Sequence, residues 1–525
     1  MQPEELTLQQ AQSSVTPAAD RAHWNTTLSM LSGDHWLGGL GWVGPRLPAN
    51  HPQATEFLAA VQQQFIPKNA LKEVAGRHVG AVIGRYPIIK LALRDATAEP
   101  TDAQRKEMRE GEGALTHWLD RSRALGKLQR FTLLLLLGRA HLQNYIPTGA
   151  LMNGRVPPGD LLTSIRRIRL RVPEPGTAQV IDDESTGRLY AVYKASTSTG
   201  ADATEITYLT PDGRTVTRRL EAGATGPVTP DGIAPVLDSS TDALDLHGHL
   251  TVTEAIRDQF LTSTLVKNNH MLNFAKTAIL RNAELAAILE RYGIGILPPG
   301  EWLTGTDGRE TYKPDPDWRP GGGNVAFFGA QSTIDEQGRV QNAPGGQYGR
   351  FEPVSPDALI ATKTDAYHDM LDEAGQGHIK GDATGPSSSG EARIQAMNDF
   401  KASLYATATP LESALADHLE MTLAWAAALS GKPGRFKPYR VVVQCRILAA
   451  QPTSAERLQI VSERDAGLRS TENAMSEIGI EDTDEMLAAV QAEQEAKLQQ
   501  GQEAAAALGR LMEPAPARTP ADAQP

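Results

Sequence analysis

Residues 436–447, FKPYRVVVQCRI, alternate apolar and polar side chains with the period of a half-buried strand. The sequence on either side is helical: Gly390 to about Leu429 before it, and a segment rich in Glu, Ala and Gln at 453–509 after it. A strand cannot satisfy its backbone N–H and C=O groups alone, so this one must pair with a distant part of the chain. The earlier β-like region at 150–235 is the simplest partner. The helices between are then an excursion that leaves one domain and returns to it.

The rest of the pattern fits that itinerary. Residues 1–20 are polar. From about Thr55 to Gly84 the apolar spacing is helical, and a second helical block covers roughly 101–143, opened by Thr101-Asp102 as cap residues and ending in the Leu133–Leu137 cluster. Residues 168–172 and parts of 188–194 alternate with period two. Ile206 to Thr217, ITYLTPDGRTVT, reads as a hairpin turning at Pro211-Asp212-Gly213. Helix returns at about 250, capped by Thr251 or Thr253, and runs unbroken for about thirty residues, ~45 Å. A turn-rich insert at 281–353 holds the short strand Val325–Phe328. A helix from Ser355-Pro356-Asp357 ends near Gly375, and a Gly/Ser loop follows. The helix from Gly390 has Ser388-x-x-Glu391 as a capping box and Pro410 inside it as a kink. The fold class expected is mixed α+β and helix-rich.

Composition narrows the function. With 40% apolar and 22% charged residues among 525, the chain is globular and long enough for several domains. A net charge of −12 argues against gripping nucleic acid over the whole surface and leaves local contact open. Cys445 is the only cysteine, so no disulfide forms within the chain. The start, MQPEELTLQQ, lacks signal-peptide character, and FTLLLLL at 131–137 is too short to cross a bilayer; a soluble, intracellular protein is expected.

Motifs for catalysis fail on inspection. Gly385 and Gly390 have the spacing of a phosphate-binding loop, but Glu391 stands where such a loop needs Lys and would repel the anion. Gly321-Gly322-Gly323 precedes a strand instead of following one. His247-Gly248-His249 lacks a third metal ligand at a telling spacing. The acid pairs Asp315/Asp317 and Asp482/Asp484 sit at turns and helix starts. No cofactor and no enzymatic chemistry are expected.

Three segments carry a resemblance. Residues 462–493, SERDAGLRSTENAMSEIGIEDTDEMLAAVQAE, string together a helix, a turn with Gly467, Ser470, Thr471 and Glu472, then Gly479 and the acidic helix start Asp482, Asp484, Glu485. Asn473 and Ile478 are mild departures from the pattern. Ser389-Gly390-Glu391-Ala392 opens the long helix, and NALKEVAGRHVGAVIGRYP at 69–87 ends in Gly84 and Pro87. In order and spacing these resemble the portal proteins of tailed bacteriophages, siphovirus type.

The resemblance implies a portal-type subunit. Its wing would be 1–245 with 431–452, its stem helices 246–280 and 354–375, its clip 281–353, its tunnel loop and kinked tunnel helix 376–430, and its helical crown 453–510, with 511–525 a disordered tail. It implies a homo-oligomeric ring, typically a dodecamer, at one capsid vertex of the virion, assembled in the host cytoplasm. Double-stranded DNA would pass through it for packaging and ejection, and its partners would be terminase, major capsid or scaffolding protein and head-completion adaptors, with no membrane. Twelve such copies carry about −144, which disfavours adhesion to the passing duplex. In the loop, His378 and Lys380 are the expected transient backbone contacts, with Thr384, Ser387, Ser388 and Ser389 as polar lining. Trp302, Tyr312, Trp318 and Tyr348 are the expected docking residues of the clip. The alternatives are another ring-forming phage head or connector protein, or a hydrolase without a recognisable motif.

Overall fold

The computed structural model describes residues 6–7, 18–36, 59, 62–95, 97, 99–147, 157, 159–183, 188–196, 202–210, 212–220, 227–228, 244–287, 291–294, 300–306, 310–315, 325–328, 333–334, 340–341, 347–350, 355–380, 390–447 and 454–466, with 471, 474, 475, 486, 490, 495 and 499. The protein is mixed α/β with several small sheets, and at about 54% helix its helices supply most of the core. Two compact units divide it, Met1–Ile447 and Leu448–Pro525.

The first unit begins with β1 (Leu6–Thr7), α1 (Ala18–Ser32), α2 (Ala70–Ile83), β2 (Ile88–Leu93), α3 (Asp102–Arg121), α4 (Ala124–Leu135) and β3 (Arg139–Tyr145). Next come α5 (Leu161–Ile165), β4 (Arg169–Arg171), β5 (Ala178–Asp183), β6 (Arg188–Ser196), β7 (Asp202–Leu209), β8 (Thr215–Leu220), β9 (Pro227–Val228), β10 (Val252–Ile256) and α6 (Ser263–Ala287). The insert holds β11 (Arg291–Ile294), β12 (Gly300–Thr304), β13 (Glu310–Pro314), β14 (Val325–Phe328), β15 (Thr333–Ile334), β16 (Val340–Gln341) and β17 (Gln347–Arg350). The unit closes with α7 (Asp357–Glu373), α8 (Gly390–Leu429) and β18 (Tyr439–Gln444), while the second unit contributes α9 (Ser454–Asp465).

The returning strand does pair backwards, but not with the region at 150–235. β18 runs antiparallel to β2, with Val441 opposite Leu91. Residues 88–93, IIKLAL, have too mixed a pattern to announce a strand by alternation, and Pro87 sets the extended entry. Helices close the outer edges of this ribbon. Glu420 and Glu412 on α8 accept the N–H groups of Val441 and Cys445 at 2.9 and 2.6 Å, and Glu112 on α3 accepts that of Leu91 at 2.7 Å. Carboxylates thus stand in for missing neighbour strands and blunt both edges. α3 lies close on the ribbon because residue 111 is glycine: a Cβ there would come 3.0 Å from Leu91, 3.1 Å from Phe436 and 3.3 Å from Leu423.

Three further expectations need correction. The helix expected from about Thr55 to Gly84 is interrupted: residues 59, 62 and 63 are helical, residues 64–69 are not, and α2 starts at Ala70. Pro67 disfavours helix before it, and the N–H groups of Ile66 and Lys68 go to Thr277 and Asn273 of α6 at 3.2 and 2.7 Å. Asn69 then caps α2 by accepting from Lys72, and Asn269 takes the N–H groups of Ala70 and Leu71. The block 101–143 keeps its Thr101 cap, a full capping box with Gln104, but ends in β3: Gly138 at φ +111 breaks the helix. The helix expected from 250 starts only at Ser263. Thr251, Val252, Thr253 and Ile256 are β-branched, and they build β10 against β3 before Thr262 caps α6 through Leu265 N–H.

Other expectations hold. β7 and β8 pair antiparallel about the turn with Gly213 at φ +77, within the four-stranded order β5-β6-β7-β8. Val325–Phe328 is a strand, parallel to β11. α8 spans Gly390–Leu429 and continues through Pro410. Ser388 of the expected capping box lies outside the described residues, as do Gly467 and Ile478 to Glu485 of the C-terminal motif. α6 and α7 pack antiparallel, since Thr262 at the head of α6 donates to Glu373 at the foot of α7. One apolar core joins α1 to α4, α6 to α8, β2, β3 and β18, with Trp118, Phe131, Leu71 and Leu135 fully buried in it.

Candidate functional site

The loop expected to meet DNA begins at the foot of α7. Gly375 takes φ +63, a conformation that favours glycine, and turns the chain against Asp399 of α8. Gln376 is fully buried and donates to the carbonyl of Val74 on α2 at 2.9 Å. A single 3-10 turn, Gly377–Ile379, follows. It sets the His378 ring 4.9 Å from the ring of Phe400. Burial, helped by the Arg77 charge, holds His378 below the usual histidine range, so its ring is neutral at pH 7. Lys380 pairs with Asp372, eight residues earlier in the last turn of α7. His378 and Lys380 therefore sit together at the loop's root, each engaged by its own chain. Thr384, Ser387, Ser388 and Ser389 lie outside the described residues.

Behind this root lies an aromatic box. His78 on α2 stacks 4.4 Å from Phe260 and 6.2 Å from Phe400. Arg257 donates to the Thr407 hydroxyl of α8, which lies 2.7 Å from His78 Nε2. Thr407 also donates to the carbonyl of Ser403, one turn back on α8, at 3.3 Å. Burial and the Arg257 charge push His78 down to about 3. The root is thus seated against buried groups of α2 and α8.

The clip candidates divide between two sheets. Register sets Trp302 of β12 opposite Tyr312 of β13, whereas Tyr348 belongs to β17 in the order β14-β11-β17. Trp318 lies outside the described residues. The three described candidates are not brought into one sheet.

The structure also presents a triad-like chain that periodicity gave no hint of. Thr253 Oγ1 is 3.1 Å from His418 Nδ1, and His418 Nε2 is 3.0 Å from Asn144 Oδ1. A hydroxyl, an imidazole and an orienting amide is the order of a nucleophilic relay. Here the imidazole is spoiled as a base: burial, reinforced by the His249 charge, pushes His418 down to about 3. Asn144 is held in turn by Thr422 at 2.6 Å, so the chain reads as a polar staple between β3, β10 and α8. His249 of the His-Gly-His motif lies 3.3 Å from Glu420. Burial acts to raise Glu420, but hydrogen bonds from His249 and Val441 N–H, with the Arg94 charge, outweigh it and keep the carboxyl below its usual range. Among the described residues no three His, Cys, Asp or Glu side chains are grouped to hold a metal ion. No helix of the described residues is long and apolar enough to cross a membrane.

Compared with known proteins, the sequence matches no family model and none of the curated proteins.

Proposed function

We propose that the protein is a phage portal subunit: copies close into a ring, typically of twelve, around a channel through which duplex DNA is packaged and released. The supporting observation is the itinerary of the chain. It leaves a common core through α6, passes a β-rich insert, returns along α7 and, beyond the Gly/Ser segment, continues as the 40-residue α8, after which β18 pairs with β2. On this reading α6 up to residue 280 and α7 are the stem, 281–353, which takes in the last turns of α6, the clip that docks terminase and later adaptors, and the loop at 376–389 the collar facing the axis. The insert's aromatics Trp302, Tyr312, Trp318 and Tyr348 are its docking residues.

The chemistry of the loop suits a conduit. Each phosphate contact adds affinity and salt dependence, so a channel needs contacts that let go. Lys380 is shared with Asp372 and His378 is neutral, so neither clamps an anion. Replacing both with Ala should leave assembly intact, read by native mass spectrometry, and alter packaging or retention of DNA. A double variant that cannot assemble places the loop elsewhere.

A further inference from the structure

Two segments of this acidic chain hold cations without carboxylates: RSRALGKLQR at 121–130 and TSIRRIRLRV at 163–172. Arg121, Arg123, Lys127 and Arg130 lie in the first, and Arg166, Arg167, Arg169 and Arg171 in the second. Strand alternation accounts for Ile168 and Leu170, which are buried, but it does not ask for arginine at the positions between.

The fold brings the segments together. Trp118, near the end of α3, donates to the carbonyl of Ile168 at 2.8 Å, and Lys127 of α4 donates to that of Leu170 at 2.7 Å. Burial, with the Arg169 charge beside it, lowers the pKa of Lys127, so cation crowds cation here. Some of the charge is compensated. Arg130 pairs with Glu174 at 2.8 Å, Arg171 pairs with Glu205, and Arg166 donates to His117 at 3.0 Å and helps hold Asp160 ionised. Arg167 donates to the carbonyl of Pro157. Arg121, Arg123 and Arg169 are exposed, and among the described residues none of them makes an ion pair with a carboxylate. Exposed cations that pair with no carboxylate among the described residues are free to meet an external polyanion. Arginine's planar fork matches phosphate oxygens two at a time, and three guanidiniums are available for it.

We propose that Arg121, Arg123 and Arg169, on the face made by the end of α3, the start of α4 and β4, form a binding site for nucleic-acid phosphates separate from the loop at 376–389. It holds whether or not the chain forms a portal ring. A conduit must release DNA, whereas a stationary site of this kind retains it. Three phosphate contacts correspond to a salt slope of about −3 in log K against log salt.

The test is fluorescence anisotropy of a short duplex DNA with the full chain across a salt series. Arg121→Gln/Arg123→Gln/Arg169→Gln is compared with Arg105→Gln/Arg109→Gln/Arg440→Gln, which removes the same charge from other exposed positions. The patch variant should weaken binding at low salt by at least about tenfold and flatten the slope by about 3, while the control stays near the parent. Equal losses in both variants, or no loss in the patch variant, overturn the proposal. So does competition by poly-glutamate as effective as that by DNA of equal charge, which would point to an acidic protein. If the triple variant melts below the parent, Arg123→Gln and Arg169→Gln singly must each flatten the slope by about 1.

Discussion

Two β regions of the first unit are attached to its helices by different means. The ribbon of β2 and β18 is embedded: Leu91, Val441, Val443 and Tyr439 are buried in the main apolar core, and carboxylates from α3 and α8 close its edges. The sheet β5-β6-β7-β8 is stapled on. Its own apolar cluster with the rest is small, centred on Ala191, Leu250 and Val252. Polar links do the remainder: Glu205 takes Arg171 and, at 2.9 Å, Gln143, while Thr207 meets Thr251 at 2.9 Å. Arg171 also stacks 3.9 Å from Tyr193 and 4.7 Å from Tyr145. Apolar burial is non-directional and cooperative, so the ribbon should fail only with the whole core. Polar staples fail one at a time, so the sheet should open locally.

The largest expected effect tests the embedded side. Gly111→Val forces a branched side chain into Leu91, Phe436 and Leu423, all buried, and should cost about 3 kcal/mol by denaturant unfolding. A cost under about 0.5 kcal/mol would show that α3 and the ribbon are not close-packed. Next in size are the buried histidines. His78 and His418 have folded values of about 3 against about 6.5 when unfolded. The unfolded chain binds the proton first, so their contribution is complete above about pH 6.5 and is lost as pH falls towards 3. At pH 5 each should cost about 2 kcal/mol, and His78→Gln should remove about 1.6 kcal/mol of the fall measured between pH 6.5 and 5. A profile that is flat there contradicts the neutral imidazoles.

The staple comes third. Glu205→Gln leaves Arg171 partly desolvated and should cost about 2 kcal/mol. Hydrogen exchange distinguishes the two regions: amides of β6 and β7 should speed up while those of β2 and β18 do not. Uniform acceleration would erase the contrast drawn here. Smallest is the thiol. Burial, with Glu412 beside it, pushes Cys445 well up, so a disulfide reagent should modify it at pH 8 only through unfolding. Rapid modification of the folded chain would mean that the ribbon's end opens by itself.

How much of this was legible in the sequence depends on what each segment asks of its neighbours. α8, the Thr101 cap and the hairpin at 202–220 follow from local spacing, caps and turn residues, which act within a few positions. β10 was misread as helix because Val252, Ala255, Ile256 and Phe260 match a helical face as well as a strand one; the partner β3, more than a hundred residues earlier, decides it. β2 was missed for the same reason, since its register is supplied by β18. At the loop, sequence chemistry singles out His378 and Lys380 as groups for contact with a DNA backbone, and the fold places both at its root. It had no means to reveal Phe400 and Asp372, which lie against them only in the fold. Arg169 and Arg171 fall within the strand pattern at 168–172, and only the approach of α4 brings them beside other cations.

The proposed portal function turns on many copies closing around an open axis. Negative-stain imaging of the purified full-length protein tests that most directly. The account predicts closed rings with a central hole of duplex width; a solitary compact particle under every condition of salt, concentration and pH would contradict it.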